Sequence, residues 1–389
     1  MSLSRTDGMG ADDLGASGPD SPVAGAPTLQ DFLRLVTERG GTDLHLSAES
    51  PPAMRLNGEL RPLPFPPLSS NDTKTLCYSV LTETQKHRFE EDLELDFSFG
   101  IRGLSRFRGN LFLQRGSVGG AFRTIPYAAR ALAELGLPPV VAELSKLPRG
   151  LVLVTGPTGS GKSTTLAAMI DHINRTRAGH ILTIEDPVEF VHQPRKCQVT
   201  HKEVGEHVPS FLEAIRSAGR ENADVILVGE LRGAETMKAA LQLASFGILI
   251  YATVHTNSAS ATIDRFVNAF PAEQQPQIRG LLADSLAGVV AQQLLRRADV
   301  KGRVAAHEIL LGNFALASLI REGKTSQIAS FIQSSSGDGM QGMDVALERL
   351  VSAGSVSARD ALDKSLDKEA FAKLPSVARG LGPEATLTA

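Results

Sequence analysis

The chain has 389 residues, enough for two domains, and a formal net charge of −3 with its lysines and arginines scattered. That balance argues against a machine held to nucleic acid by phosphate contacts, so no nucleic-acid partner is expected. The two cysteines, Cys77 and Cys197, exclude a disulfide framework and a cysteine-based zinc module, and no apolar run reaches the about 18 residues of a membrane helix.

Residues 1–28 are rich in Gly, Ala, Ser, Asp and Pro without an apolar period and read as a disordered tail. They show no basic segment followed by an apolar core, so no secretory signal is visible and a cytosolic protein is expected. A helix is predicted from Thr28, with Leu29, Phe32, Leu33, Leu35 and Val36 as its stripe, ended by Gly40-Gly41. Strands follow at 43–47 and 54–56, and Asn57-Gly58 signals a tight hairpin into Glu59-Leu60-Arg61. Further strands are predicted at 93–99, 105–114 and 120–125, giving a mixed α+β domain over 29–126. In Arg106-Phe107-Arg108, alternation sets both arginines on one side and Phe107 inward. Arg106 and Arg123 are candidate arginine fingers, cations that stabilise phosphate charge in a transition state. Residues 127–148 read as a linker with one short helix over 128–135.

From Leu151 short β-rich apolar runs alternate with helical ones, which predicts a parallel sheet covered on both faces. Strands are expected at 151–155, 180–184, 225–228 and 248–253. The first runs into Gly156-Pro157-Thr158-Gly159-Ser160-Gly161-Lys162-Ser163, a complete Walker A pattern, and then a helix over 164–173. Strand, glycine loop and helix in this order form a phosphate cradle: backbone N–H groups turn inward and the helix N-terminus adds positive potential. Gly156, Pro157, Thr158, Gly159, Ser160, Gly161, Lys162, Ser163 and Thr164 are thus the candidate ATP-binding residues. Lys162 would reach the β- and γ-phosphates and the Ser163 hydroxyl would ligate Mg²⁺.

The second strand ends in Glu185-Asp186-Pro187-Val188-Glu189. By itself this is an acidic turn; beside a Walker A loop it suits a water-activating base, Glu185, with Asp186 and Glu189 supporting metal and geometry. The third strand, Val225-Ile226-Leu227-Val228, leads through Gly229 to Glu230, a Walker B layout with Glu in place of Asp, and Glu230 would hold the Mg²⁺ water shell. The fourth ends at His255, where a neutral imidazole could sense phosphate. Ser210-Phe211-Leu212-Glu213 is a capping box, with Arg216 and Arg220 on the outer face of its helix. After about residue 275 the chain reads as helical, with Ile278, Leu281, Leu282, Leu286 and Val289 in step. The motor domain is taken as 149–375 and residues 376–389 as a frayed tail.

Together these blocks resemble the secretion-type ATPases that drive type IV pili, and within them the PilT/PilU-type retraction ATPases. Residues 151–165 (LVLVTGPTGSGKSTT) match the Walker A box, 184–192 (IEDPVEFVH) the Asp box, 214–232 (AIRSAGRENADVILVGELR) the Walker B region and 253–259 (TVHTNSA) the His box. The segments 43–47, 94–99, 106–110 and 123–126 resemble the family's N-terminal domain. Residues 319–328 (LIREGKTSQI) and Gly339-Met340-Gln341 resemble retraction-type motifs, and the four-cysteine zinc site of assembly ATPases is missing. The resemblance spans about 29–374. It implies an α/β fold: a RecA-like P-loop ATPase domain, a smaller PAS-like α+β N-terminal domain and a helical C-terminal part. It further implies a homo-hexamer with nucleotide between subunits, docked at the cytoplasmic face of the inner membrane. Its partners would be a pilus platform protein and other pilus ATPases, its cofactors ATP and Mg²⁺, and its output pilin removal and twitching motility. Lys162 and Ser163 carry over as nucleotide ligands, Glu185 as catalytic glutamate, Glu230 as Walker B acid, His255 as His-box histidine, and Arg106 and Arg123 as fingers.

Departures surround this core. Gly219-Arg220-Glu221-Asn222-Ala223-Asp224 stands for the usual Leu-Arg-x-Asp-Pro-Asp, Arg232-Gly233 for Arg-Asp, and Ser245-Phe246-Gly247-Ile248 for Glu-Thr-Gly-His. A glycine inside a helix costs about 1 kcal/mol against alanine, which is the expectation for Gly219. The pattern suggests a divergent paralogue that still hydrolyses ATP. The alternatives are an ATP-binding accessory subunit with little turnover, a pilus-assembly or type II secretion ATPase, and a RecA-like nucleic-acid motor.

Overall fold

The computed structural model describes residues 27–56, 58–125 and 129–381. The expected tails over 1–28 and 376–389 therefore fall outside it except for Pro27, Thr28 and 376–381, as do Asn57 of the hairpin and Pro126 and Ala128 at the linker. By contacts the chain divides into two compact units, one holding residues up to Glu94 with Leu111–Phe122 and one holding Leu95–Asn110 with Arg123 onward.

In the N-terminal half, α1 (Leu29–Glu38) is closed by a full capping box between Thr28 and Asp31 and buries Leu29, Phe32, Leu33 and Val36. Strands β1 (Asp43–Leu46), β2 (Ala53–Leu56) and β3 (Glu59–Pro62) follow. Two helices without a predicted counterpart come next, α2 (Ser70–Tyr78) and α3 (Glu83–Asp92). Their buried faces are thin, Thr73, Leu76 and Cys77 in one and Gln85 and Phe89 in the other. What starts them is local: Ser69 with Asp72 and Thr82 with Gln85 each form a capping box. Strands β4 (Glu94–Ile101), β5 (Ser105–Gln114) and β6 (Ser117–Ile125) complete a six-stranded sheet ordered β3-β2-β1-β6-β5-β4. A 3₁₀ turn at Leu132–Leu135 and α4 (Pro139–Leu144) lead onward.

The second half is built on β7 (Gly150–Thr155), α5 (Lys162–Thr176), β8 (Gly179–Glu185), β9 (Cys197–Glu203), α6 (Phe211–Ala218), β10 (Val225–Val228), α7 (Ala234–Ser245), β11 (Leu249–Val254), α8 (Ala259–Asn268), α9 (Gln275–Ser285), β12 (Leu286–Arg296) and β13 (Arg303–Leu311). The sheet order is β13-β12-β7-β11-β10-β8-β9, parallel throughout except the antiparallel edge strand β13. Each central strand divides its side chains between two cores. Leu151, Leu153, Ile226, Val228, Ile250 and Ala252 enter the core shared with α6 to α9, while Val152, Val154, Val225, Leu227 and Tyr251 enter the one under α5. Tyr251 is wholly buried and its hydroxyl donates to the Leu144 carbonyl at 3.0 Å.

Two expectations are corrected here. The helical reading past residue 275 holds for α9 and stops at Ser285; Leu286 and Val289 stand in β12. That strand is hydrogen-bonded by β7 on one side and β13 on the other and is buried on both faces, so its sequence shows no alternation to distinguish it from a buried helix. Gly219 is not inside a helix: α6 ends at Ala218 and Gly219 is its C-cap, so the helix-interior cost does not apply. The C-terminal part is helical, with α10 (Phe314–Arg321), α11 (Ile328–Ser334), α12 (Met343–Ser352), α13 (Ala358–Lys364), α14 (Lys368–Ala372) and α15 (Pro375–Leu381). The last four pack with Leu295 and Ala306 of the β12–β13 pair around Leu347 and Phe371.

Candidate active site

Four neighbouring parallel strands bring the predicted residues to one edge of the sheet. Val254 pairs with Thr155, Ala252 with Val228 and Ile184 with Val228, so the segments leaving β7, β11, β10 and β8 emerge side by side. Those segments carry the glycine loop, His255, Glu230 and Glu185, at the carboxyl ends where such sheets bind ligands.

The glycine loop wraps onto the first turn of α5. Gly156, Gly159 and Gly161 have φ of +145°, +78° and +91°, values that disfavour any side chain. Ser160 is buried, whereas Thr158 and Gly159 form an exposed rim beside half-buried Pro157. Gly161 caps α5, Ser163 and Thr164 are half-buried in its first turn, and Lys162 is buried with its Nζ donating to the carbonyls of Gly156 and Pro157, both at 3.0 Å. Burial pulls the Lys162 pKa down against the charges of Glu230 and Glu189. At Gly156 a Cβ would lie 2.3 Å from the Gln292 carbonyl oxygen and 2.5 Å from Ser160 Oγ. Gly156→Ala is therefore expected to cost about 2–3 kcal/mol from strain and overpacking, read as a lowered thermal midpoint; an unshifted midpoint would show that the loop has slack.

Glu185, the last residue of β8, is 8% exposed. Burial raises its pKa to about 7, against the pull of the neighbouring Thr183 hydroxyl and the Glu189 amide. Its Oε2 accepts from Glu189 N at 3.3 Å, while Oε1 is buried without a partner among the described residues. It lines a recess of about 30 Å³ with Ser163, His192, Gly229 and Thr253. A space of that size takes about one water. Asp186 is exposed at the turn. Glu230 pairs with Arg232 Nε at 2.7 Å and with His255 Nε2 at 3.4 Å. Burial raises the Glu230 pKa, but Arg232, His255 and Lys162 outweigh it and hold the carboxyl below its ordinary value. The structure thus gathers Lys162, Ser163, Glu185, Glu230 and His255. Arg106 is tied to the Asp-box turn instead: it donates to Glu203 at 3.2 Å, Ser98 Oγ at 2.5 Å and the Val188 carbonyl at 3.2 Å. Arg123 is exposed on β6.

The donor set suits a nucleotide with a hard cation: inward backbone amides, an ammonium, one hydroxyl and two carboxylates at a strand edge. The match to known proteins decides the family. The type II/IV secretion system protein family matches residues 132–352. The chain belongs to that family. Within it the chain is similar to the type IV pilus retraction ATPase PilT of Pseudomonas aeruginosa, 48% identical over 343 residues that cover 88% of this chain and 99% of that protein. It is 44% identical to the twitching motility protein of Neisseria gonorrhoeae over 82% of this chain and 86% of that one. A crystal structure of the pilus retraction motor PilT with bound ADP superposes with a TM-score of 0.83 at 44% identity, covering 89% of this chain and 99% of that one. The chain is a retraction-type secretion ATPase, an ATP-hydrolysing enzyme.

In this retraction ATPase the structure adds residues that local reading missed. Gln292 of β12 supports the glycine loop: its Nε2 donates to the Ser160 carbonyl at 2.5 Å and its Oε1 accepts from Thr165 Oγ1 at 2.8 Å. The signal was there, a polar Gln292-Gln293 pair inside an apolar run. Gln292→Ala should raise KM for ATP roughly tenfold by freeing the loop, as the loss of two buried hydrogen bonds implies; an unchanged KM would mean that the loop is held by other contacts. The departures also find places. Asn222 takes a φ of +52°, which Asn tolerates better than most residues. Gly233 is the N-cap of α7, and Phe246 at the end of that helix is 80% exposed.

Proposed function

We propose that the chain is a homo-hexameric motor that hydrolyses ATP to withdraw pilin subunits from a type IV pilus, with residues 29–126 as its smaller domain and 149–375 as its motor. The reading places it at the cytoplasmic face of the inner membrane on a pilus platform protein; no described helix is long and apolar enough to cross a membrane. The observation that supports hydrolysis is Glu185, a buried carboxylate that lines the same recess as Ser163.

The chemistry follows from the residues. The backbone N–H groups of the 156–163 loop, Pro157 excepted, and the Lys162 ammonium hold the triphosphate, which replaces the carbonyl partners of Nζ with better acceptors. Ionised Glu185 accepts a proton from water as the water oxygen bonds to the γ-phosphorus. The bond from that phosphorus to the bridging oxygen breaks, and ADP leaves with the electron pair. Ser163, Glu230 and Asp186 would hold Mg²⁺, which supplies charge compensation on the phosphate oxygens. A second reading, an accessory subunit with little turnover, is favoured by one contact: Arg232 occupies Glu230 where Gly233 replaces the family's Asp.

The test is steady-state ATPase activity of the purified oligomer with Mg²⁺ and with chelator, beside measured ATP binding and assembly mass. Mg²⁺-dependent turnover by a six-subunit species supports the motor. Tight binding without turnover supports the accessory subunit, and a monomer that turns over normally removes the ring.

A further inference from the structure

Glu308 of β13 is 5% exposed and has no part in the ATP chemistry, yet two helices begin on its carboxylate. Its Oε1 accepts from the N–H of Ala259, the first residue of α8, at 2.5 Å. The N–H of Met343, the first residue of α12, is a second backbone donor to it. These two donors oppose the burial that raises its pKa, and two helix N-termini that converge on one anion favour its charge. The helices need this acceptor unequally. α8 has a cap of its own, Ser258 Oγ accepting from Ala261 N at 3.2 Å, whereas Gly342 before α12 supplies no side-chain oxygen. Asp344 in the first turn of α12 does not replace it, because its carboxylate accepts from the N–H groups of Leu366 and Asp367 at 2.8 and 3.0 Å.

The two helices lead to different parts of the chain. α8 is entered from His255-Thr256-Asn257-Ser258, so Ala259 stands four residues after the histidine whose Nε2 lies 3.4 Å from Glu230. α12 opens the last four helices and is entered from Gln341, which adds a rung to β13. Ile309 N donates to the Gln341 carbonyl at 2.8 Å, and Gln341 N donates to the Ile309 carbonyl at 3.2 Å. Glu308 also stands in the sheet row that ends beside the site, in register with Ala291, then Thr155, then Val254. We propose that Glu308 is a positioning residue for ATP hydrolysis: by accepting from Ala259 and Met343 together it sets the His-box segment against the C-terminal helices, so that a displacement of α12 moves His255 relative to Glu230. This rests on the reading of His255 as part of the ATP site. An apolar residue would pack there without the cost of burying a charge, so a carboxylate makes the junction depend on both donors at once.

The test is steady-state ATP turnover of the full-length protein with Mg²⁺, beside a thermal melt of each variant. Glu308→Gln removes the charge and turns one of the two oxygens into a donor. It should lower kcat about 10-fold or more, the direction of a misplaced catalytic group, with KM for ATP and affinity for ADP within about twofold of wild type. It should also lower the thermal midpoint, as loss of a helix cap does. Gly342→Ser separates the two effects. Gly342 has an extended backbone, φ −79° and ψ 157°, and a Cβ there meets nothing within 4 Å, so a serine can cap α12 by itself. In the Glu308→Gln background it should return the midpoint toward wild type and leave kcat low, because it does not reconnect α12 to α8. Return of kcat together with the midpoint would make Glu308 a helix cap alone and overturn the proposal, as would a wild-type kcat in Glu308→Gln. His255→Ala is measured beside them, and normal turnover there sinks the His-box reading and the proposal with it. Where His255→Ala is impaired, adding Glu308→Gln should change its rate by less than about twofold, and full additive losses would overturn the proposal while leaving the His-box reading intact. If Glu308→Gln fails to fold, the recapped double variant decides on the same kcat criterion.

Discussion

Lys162→Ala is expected to lower ATP turnover by at least about 10²–10³-fold, the scale of losing one preorganised charge-stabilising donor, and to weaken nucleotide binding as well. The side chain is buried, and its Nζ donates to two of the loop's own carbonyls, those of Gly156 and Pro157. Burial disfavours its charge, so the folded protein loses little when the ammonium is removed. The variant should therefore unfold within a few degrees of wild type while failing to hold nucleotide. Isothermal titration with ADP and a thermal melt separate the two effects. Normal turnover by Lys162→Ala would displace the nucleotide from this loop. A collapse of the melt would mean that the lysine is structural.

Glu185→Gln should bind ATP like wild type and turn over about 10²–10⁴-fold more slowly, the range for loss of a general base. It should also be more stable at alkaline pH. Burial raises the Glu185 pKa from 4.5 to about 7 in the folded protein. A carboxyl raised in this way contributes stability that is fully present below pH 4.5 and is lost as pH rises through 7. Glutamine never ionises and escapes that loss. The stabilisation of Glu185→Gln over wild type should be near zero at pH 4.5 and reach at most about 3 kcal/mol above pH 8, read from melts of the nucleotide-free protein. A difference that grows on acidification would contradict the burial argument. In the proposed role, Glu185 would give up stability to serve as a base whose charge switches near neutral pH, as catalytic carboxylates often do.

The motifs were legible because each is a local solution to a local problem. A phosphate loop needs glycines at positive φ, as Gly156, Gly159 and Gly161 have, and a buried parallel strand needs an unbroken apolar run such as Val225-Ile226-Leu227-Val228. Such runs located β7, β8, β10 and β11, and the polar residues just beyond them are the candidate site residues. The apolar stripe was equally local, which is why α1 was found from Thr28, and the Ser210 cap marked the start of α6, whereas α2 and α3, with capping boxes but thin buried faces, were missed. The tertiary structure decided what depends on a partner far along the chain. β12 is a strand because β7 and β13 flank it, and burial on both faces erased the alternation that would have marked it. Gln292 supports the glycine loop from 132 residues away, and Arg106 meets Glu203 across 97. A buried charge or amide finds its partner by packing, and no spacing in the sequence encodes which one it will meet. Residue types and strand ends therefore came from the sequence itself, whereas the oxygen of Glu185 left without a partner is a property of the folded chain.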